Sequence, residues 1–137
     1  MDFDIKKYMG KWFEIARIPN EFEPDLTNVT AEYTLTNKDI LIKNQGYKNG
    51  ELIVITGVAK TSHRIDMLFI TFDNKHYSSY NILAFTDDYS YALVGGDDKN
   101  SLWILGRKNY INSDLYNWFI NVAKKNEYNT DRLEINK

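Results

Sequence analysis

The chain has 137 residues, the length of one ordinary domain. With 43% hydrophobic and 15% aromatic residues it can bury a core without metals or disulfides, and it has no cysteine, which excludes disulfides, thiol nucleophiles and thiolate metal sites. A net charge of −2 argues against a nucleic-acid binder, which would show a basic stripe.

No apolar run approaches the roughly 20 residues of a membrane span. Met1-Asp2-Phe3-Asp4 does not read as a signal peptide. The expected compartment is therefore the cytoplasm, or a secreted, periplasmic or outer-membrane-associated location if a leader has been removed. Linkers, repeats and low-complexity tracts are missing from the sequence, so residues 1–137 are expected to form a single domain.

Asp4 to Tyr8 reads as a helical turn with an acidic start, and Gly10 breaks it. Lys11 to Ile18 is the first strand, stopped by Pro19. The loop Glu21 to Leu26 contains two apolar residues and reads as a packed lid. In Thr27 to Thr36, Val29, Ala31, Tyr33 and Leu35 alternate with polar residues, the period of a half-buried strand. Ile40 to Tyr47 follows, then Asn49-Gly50, a tight-hairpin signal. Leu52 to Lys60 is the fourth strand, with Gly57 suggesting a bend or bulge. Met67 to Phe72, Tyr80 to Phe85, Tyr89 to Gly95 and Leu102 to Arg107 complete eight. The period then changes. Ser113 is the expected N-cap of a helix whose apolar face is Leu115, Trp118, Phe119, Val122 and Ala123. Lys124 and Lys125 sit near its end, where the helix dipole favours cations, and Asp131 to Ile135 could add a short strand.

Eight short strands linked mainly by turns need closure to remove their edges. The expected fold is all-β, an eight-stranded antiparallel up-and-down barrel. A short N-terminal helical turn precedes it, and the C-terminal helix buries its face on the outside. Such a barrel holds either a filled core or a small ligand cavity.

Three separated motifs on this plan resemble one family. They are Gly10-Lys11-Trp12, Thr86-Asp87-Asp88-Tyr89, and Arg107 at the end of Leu102-Trp103-Ile104-Leu105-Gly106. The chain resembles the lipocalins, most closely the bacterial lipocalin and apolipoprotein D subgroup, whose first strand Trp12-Phe13-Glu14-Ile15-Ala16-Arg17 is similar to. The resemblance assigns Gly10, Trp12, Asp87, Tyr89 and Arg107 to the floor of the barrel. Pairing of the first and last strands would set Arg107 over the Trp12 indole, a contact of roughly 0.5–2 kcal/mol.

With Trp12 pointing in, alternation puts Glu14 and Ala16 inside and Phe13 and Ile15 outside. On the second and third strands it selects Val29, Ala31, Tyr33, Ile42 and Asn44 as cavity lining. On the later strands it selects Leu68, Ile70, Phe72, Tyr80, Ile82, Ala84 and Trp103. This wall is mainly apolar with a few polar groups, which suits a ligand with an apolar tail and a polar head. Tyr33, Asn44 and Tyr80 are candidates for the head; Arg17 ranks below them, because parity turns it outward.

No catalytic, metal or cofactor site is expected. His63 and His76 fall in or beside loops without a supporting pattern, and Asp87-Asp88 is turn chemistry. Glu14 reads as a structural carboxylate paired with a cation or a tyrosine. Serine-nucleophile and phosphate-loop motifs do not occur. The expected function, supported by what the resemblance implies, is non-enzymatic binding, storage or transport of a fatty acid, lysophospholipid or similar lipid. The alternatives are a lipocalin-fold enzyme acting on a lipid or isoprenoid, and an interaction protein using the barrel exterior. An intracellular fatty-acid-binding protein would need a helix pair after the first strand, where Pro24 stands. Outward-facing Met67 and Phe69 suggest a possible homodimer.

Overall fold

The computed structural model describes residues 3–19, 26–64 and 66–135, so most of the expected lid, residues 21–25, lies outside the described residues. A four-residue helix α1 (Ile5–Tyr8) starts at Asp4, whose carboxylate accepts the Lys6 amide at 3.0 Å. Eight strands follow. They are β1 (Gly10–Arg17), β2 (Thr27–Leu35), β3 (Ile40–Lys48), β4 (Glu51–Thr61), β5 (Met67–Thr71), β6 (Ser78–Phe85), β7 (Tyr91–Gly95) and β8 (Leu102–Gly106). Helix α2 (Ser113–Lys125), a 3-10 turn at Thr130–Arg132 and a two-residue strand β9 (Glu134–Ile135) end the chain.

Each strand pairs antiparallel with the next, and β1 pairs with β2 on one side and β8 on the other, so the sheet closes. Gly10 opposite Tyr33 marks the closed end. The mouth lies where Arg17 meets Trp103 and where Asn49-Gly50 turns β3 into β4. Strand β9 adds to β1 beyond the barrel, with Ala16 opposite Ile135.

Three strands carry a register shift, one of them β2 between Thr27 and Thr30, and alternation does not anticipate how those in β1 and β6 separate inside from outside. In β1 the register slips between Glu14 and Ala16, and in β6 between Ile82 and Ala84. A bulge sets two residues against one on the partner and re-aims everything after it. Ile15 and Ala16 both turn outward, as do Leu83 and Ala84, and all four join Leu93, Leu102, Ile104, Phe119 and Ala123 in the core beneath α2. Ala16 and Ala84 are therefore not cavity residues, as alternation had placed them, but part of the platform for the helix. Burying a side chain such as Phe119 there is worth about 1.5–3 kcal/mol.

Smaller corrections follow the same local logic. The cap of α2 is Asn112, not Ser113: its side-chain oxygen accepts the Leu115 amide at 2.8 Å. Trp118 is 45% exposed and leans on Phe119 at the edge of the buried face. Gly57 causes no bulge, because the β3–β4 ladder runs unbroken from Ile40–Ala59 to Lys48–Glu51. The glycine serves packing instead. A Cβ there would come within 2.6 Å of the Phe72 ring.

At the mouth, the turn after β5 is tied by Asp73, which accepts the Lys75 and His76 amides at 2.8 Å each and meets His76 Nδ1 at 2.6 Å. The hydrogen bond to Asp73 holds the His76 imidazole above its ordinary value, and the bonds from His76 hold Asp73 well below the usual carboxylate range. The histidine's contribution is present below about pH 6.5 and lost as pH rises through its raised value; the aspartate's is present above about pH 4 and lost on acidification. The turn is thus held best between those limits. In an NMR titration His76 is expected to titrate above about 6.5, and Asp73→Asn to bring it back toward that value.

Candidate ligand site in the barrel

The floor is built from both chain ends of the sheet. Gly10 has φ +101°, which disfavours any side chain, and a Cβ there would stand 3.4 Å from an Arg107 nitrogen. Arg107 lies over Trp12, its Cζ 3.7 Å from the ring centroid. Its N–H groups donate to the carbonyls of Tyr89, Lys11, Lys7, Tyr8 and Met9 at 2.8–3.2 Å. Trp12 Nε1 donates to the Tyr8 carbonyl at 2.8 Å, and the indole is fully buried. Tyr89 takes a left-handed φ of +58° in the turn before β7, and its hydroxyl accepts the Asp4 amide at 2.7 Å. That turn is bonded through Thr86 and Asp88, while Asp87 is exposed.

Above the floor three tyrosine hydroxyls meet. Tyr80 lies 2.5 Å from Tyr8 and 3.0 Å from Tyr33. Burial raises all three, Tyr33 to about 12, so the cluster is neutral and purely hydrogen-bonding. The three rings stack edge-on or tilted within 6.4 Å of one another, which closes the lower barrel with aromatic surface.

Next comes an ion pair. Glu14 stands opposite Leu105, an interior residue, and after the bulge Arg17 stands opposite Trp103, also interior. Arg17 Nε lies 3.3 Å from Glu14 Oε1, and the two side chains are 5% and 8% exposed. The Glu14 charge also adds to the rise in Tyr33, which places the carboxylate near the tyrosine cluster. The inward turn of Arg17 reverses the reading from alternation. No sequence signal singles out the bulge, because apolar residues also follow one another at Trp12-Phe13 and along Ile82-Leu83-Ala84-Phe85.

The remaining lining residues fall into two groups. Ala31, Ile42, Leu68 and Ile82 are buried in the interior core with Tyr33 and Tyr80. Towards the mouth the inward wall is only partly covered. Asn44 and Ile55 face each other across the β3–β4 ladder on the same side as Ala31 and are half-buried, as are Ile70 and Trp103. Phe72 lies over Gly57, on the side of the sheet that Ile42 marks as interior, and is 47% exposed. Val29 is buried beside Leu26, Asn44, Ile53 and Ile55 in a small niche. Ile53, Ile55 and Tyr8 are wall or floor residues that alternation did not select. The histidines His63 and His76 are exposed.

A second hollow, of about 410 Å³, opens outside the floor between Lys7, Asp88, Tyr89, Ser90, Tyr91, Arg107 and Lys108. Its central cation, Arg107, is already bonded to five carbonyls.

An eight-stranded closed barrel with a cation-capped tryptophan floor, an aromatic lower half, a partly open apolar upper wall and an outer helix defines a calyx-type ligand-binding barrel. Residues 3–137 match the family described as the lipocalin-like domain, and the chain belongs to the lipocalin family. It is 34% identical to the outer membrane lipoprotein Blc of Vibrio cholerae, over 96% of this chain and 81% of that protein. With apolipoprotein D of Rattus norvegicus it shares 31% identity, covering 96% and 75%. The structure of lobster apocrustacyanin A1 superposes with a TM-score of 0.79 at 21% identity, over 96% of this chain and 77% of that one, a likeness of fold. The family's work is binding or transport of small hydrophobic ligands, and this chain shares it.

Proposed function

We propose that the ligand is a lipid with one acyl chain, a fatty acid derivative or lysophospholipid, held in the calyx and released without chemical change. The observation that carries this is the gradient along the barrel: a closed aromatic floor, a buried polar pair, and an apolar wall that is still partly uncovered towards the mouth. A tail gains about 0.8 kcal/mol for each methylene that such a wall removes from water. The polar pair and Asn44 supply the few directional groups a head needs. The name outer membrane lipoprotein, borne by the Vibrio cholerae relative, supports an envelope-associated place of work.

The test uses a neutral reporter. N-phenyl-1-naphthylamine is expected to brighten saturably on mixing with the protein and to be displaced by a monoacylglycerol. Native mass spectrometry of the same sample is expected to show one lipid per chain, recovered with unchanged mass after incubation. Absence of saturable binding overturns the lipid reading; a changed lipid mass makes the protein an enzyme. The same spectra report whether Phe69, exposed on the outer face of β5, belongs to a dimer contact.

A further inference from the structure

The hollow of about 410 Å³ outside the barrel floor opens between the end of α1, the turn before β7 and the residues after β8. Three of its lining groups are cations, Lys7, Arg107 and Lys108, and one is a carboxylate, Asp88, so three positive charges against one negative leave +2. We propose that this hollow binds a phosphate monoester, with the Lys7 and Lys108 ammonium groups on the phosphate oxygens and Arg107 behind them as a fixed charge. The site is separate from the calyx and goes beyond the lipid-binding reading above.

The four charges differ in how far they are already satisfied. Arg107 gives its N–H groups to carbonyls, which are dipoles and do not neutralise it. Burial lowers its ionisation, and no carboxylate acts to restore it. A cation partly withdrawn from water attracts an anion more strongly than a solvated one. Among the described residues neither lysine is in an ion pair. Each ammonium lies against an aromatic ring instead, Lys7 5.9 Å from the Tyr89 centroid and Lys108 5.6 Å from that of Tyr110, and Lys108 also bonds to the Tyr110 phenol. An ammonium has three N–H groups, so both lysines keep donors for a ligand. Asp88, the one acid of the lining, is spent in its own turn. The Ser90 and Thr86 side chains and the Ser90 amide bond to it and hold it below the usual carboxylate range, which leaves little for an incoming cation. The hollow is therefore an anion site. A phosphate monoester carries close to two negative charges at neutral pH and three strong acceptor oxygens, matching the +2 balance and the paired lysines, whereas a diester carries one charge. The hollow is also roomier than a phosphate group alone, which leaves space for the alcohol it esterifies. That alcohol belongs to a soluble ester or to a lipid headgroup, and the experiment separates the two.

Inorganic phosphate and glycerol 3-phosphate, which have no acyl chain for the calyx, are titrated into the protein at about pH 7.5, where the second phosphate proton is lost, and amide shifts are followed by NMR. Saturable shifts are expected at Lys7, Ser90, Tyr91 and Lys108. Dimethyl phosphate, a monoanionic diester, is expected to bind about fivefold or more weaker than glycerol 3-phosphate. Lys7→Gln together with Lys108→Gln is expected to weaken glycerol 3-phosphate by about the same factor. Asp88→Asn, which removes the opposing charge, is expected to tighten it. Lys11→Gln, which removes an exposed cation lying over Phe13 outside the hollow, is expected to leave it unchanged. Co-sedimentation with phosphatidylcholine vesicles, with and without phosphatidate, assigns the source. Pelleting that phosphatidate increases, and that the double lysine variant loses, makes the ligand a lipid headgroup; pelleting that phosphatidate does not increase makes it a soluble ester. Absence of saturable shifts, a diester bound as tightly as the monoester, or equal weakening by Lys11→Gln overturns the proposal, whatever the calyx binds.

Discussion

Replacing Arg107 with methionine is expected to destabilise the protein by roughly 3 kcal/mol or more, read as a lower urea midpoint with an unchanged slope. Methionine keeps much of the length and apolar contact, so what is lost is the charge and the fork. The guanidinium gains roughly 0.5–2 kcal/mol from the indole face. It also bonds to carbonyls from α1, the start of β1 and the turn before β7 and so ties these three segments together. Several of those carbonyls are only partly exposed, so water replaces the bonds incompletely. Lysine at this position restores the charge but not the planar geometry, and is expected to recover only part of the loss. A double-mutant cycle with Trp12→Leu isolates the stacking share, since neither single change then measures it alone.

Replacing Arg17 with methionine is expected to cost roughly 3–5 kcal/mol, because it leaves the Glu14 carboxylate inside the barrel without the cation that faces it. Acid is expected to lessen the loss: in this variant the charged carboxylate is the disfavoured form, and protonation removes it. The double change Glu14→Gln with Arg17→Met removes both charges and is expected to recover most of the stability. Urea melts of the two variants and the double variant across pH check the result. If Arg17→Met is as stable as wild type, the pair does not reside in a desolvated interior.

These two arginines mark the limits of reading the chain by pattern. Arg107 was legible because its partner Trp12 lies in a short motif and strand order alone brings the two together. Arg17 was not. Strict alternation from Trp12 turns it outward, and the bulge, which leaves both Ile15 and Ala16 outside, turns it in. The same failure recurs at Ala84, one step past Leu83. Both errors lie in strands beneath α2, where an extra outward apolar residue gains a partner in Phe119 or Ala123. Gly57 shows the converse: it reads as a bend, yet the ladder is regular and the missing side chain makes room for Phe72. The tyrosine trio was half visible, as Tyr33 and Tyr80, but Tyr8 comes from the short helix before the barrel and joins them only on closure.

The sequence by itself determined the strand count, the order of turns, the late amphipathic helix and the floor, since each follows from local periodicity or from residues that adjacent strands must bring together. The tertiary structure decided which way the chain faces after each bulge, and with it the presence of a buried ion pair in the calyx. The physical reason is that a bulge changes nothing in local composition. Its gain comes from burying one more apolar side chain under a helix a hundred residues away in sequence from β1 and about thirty from β6.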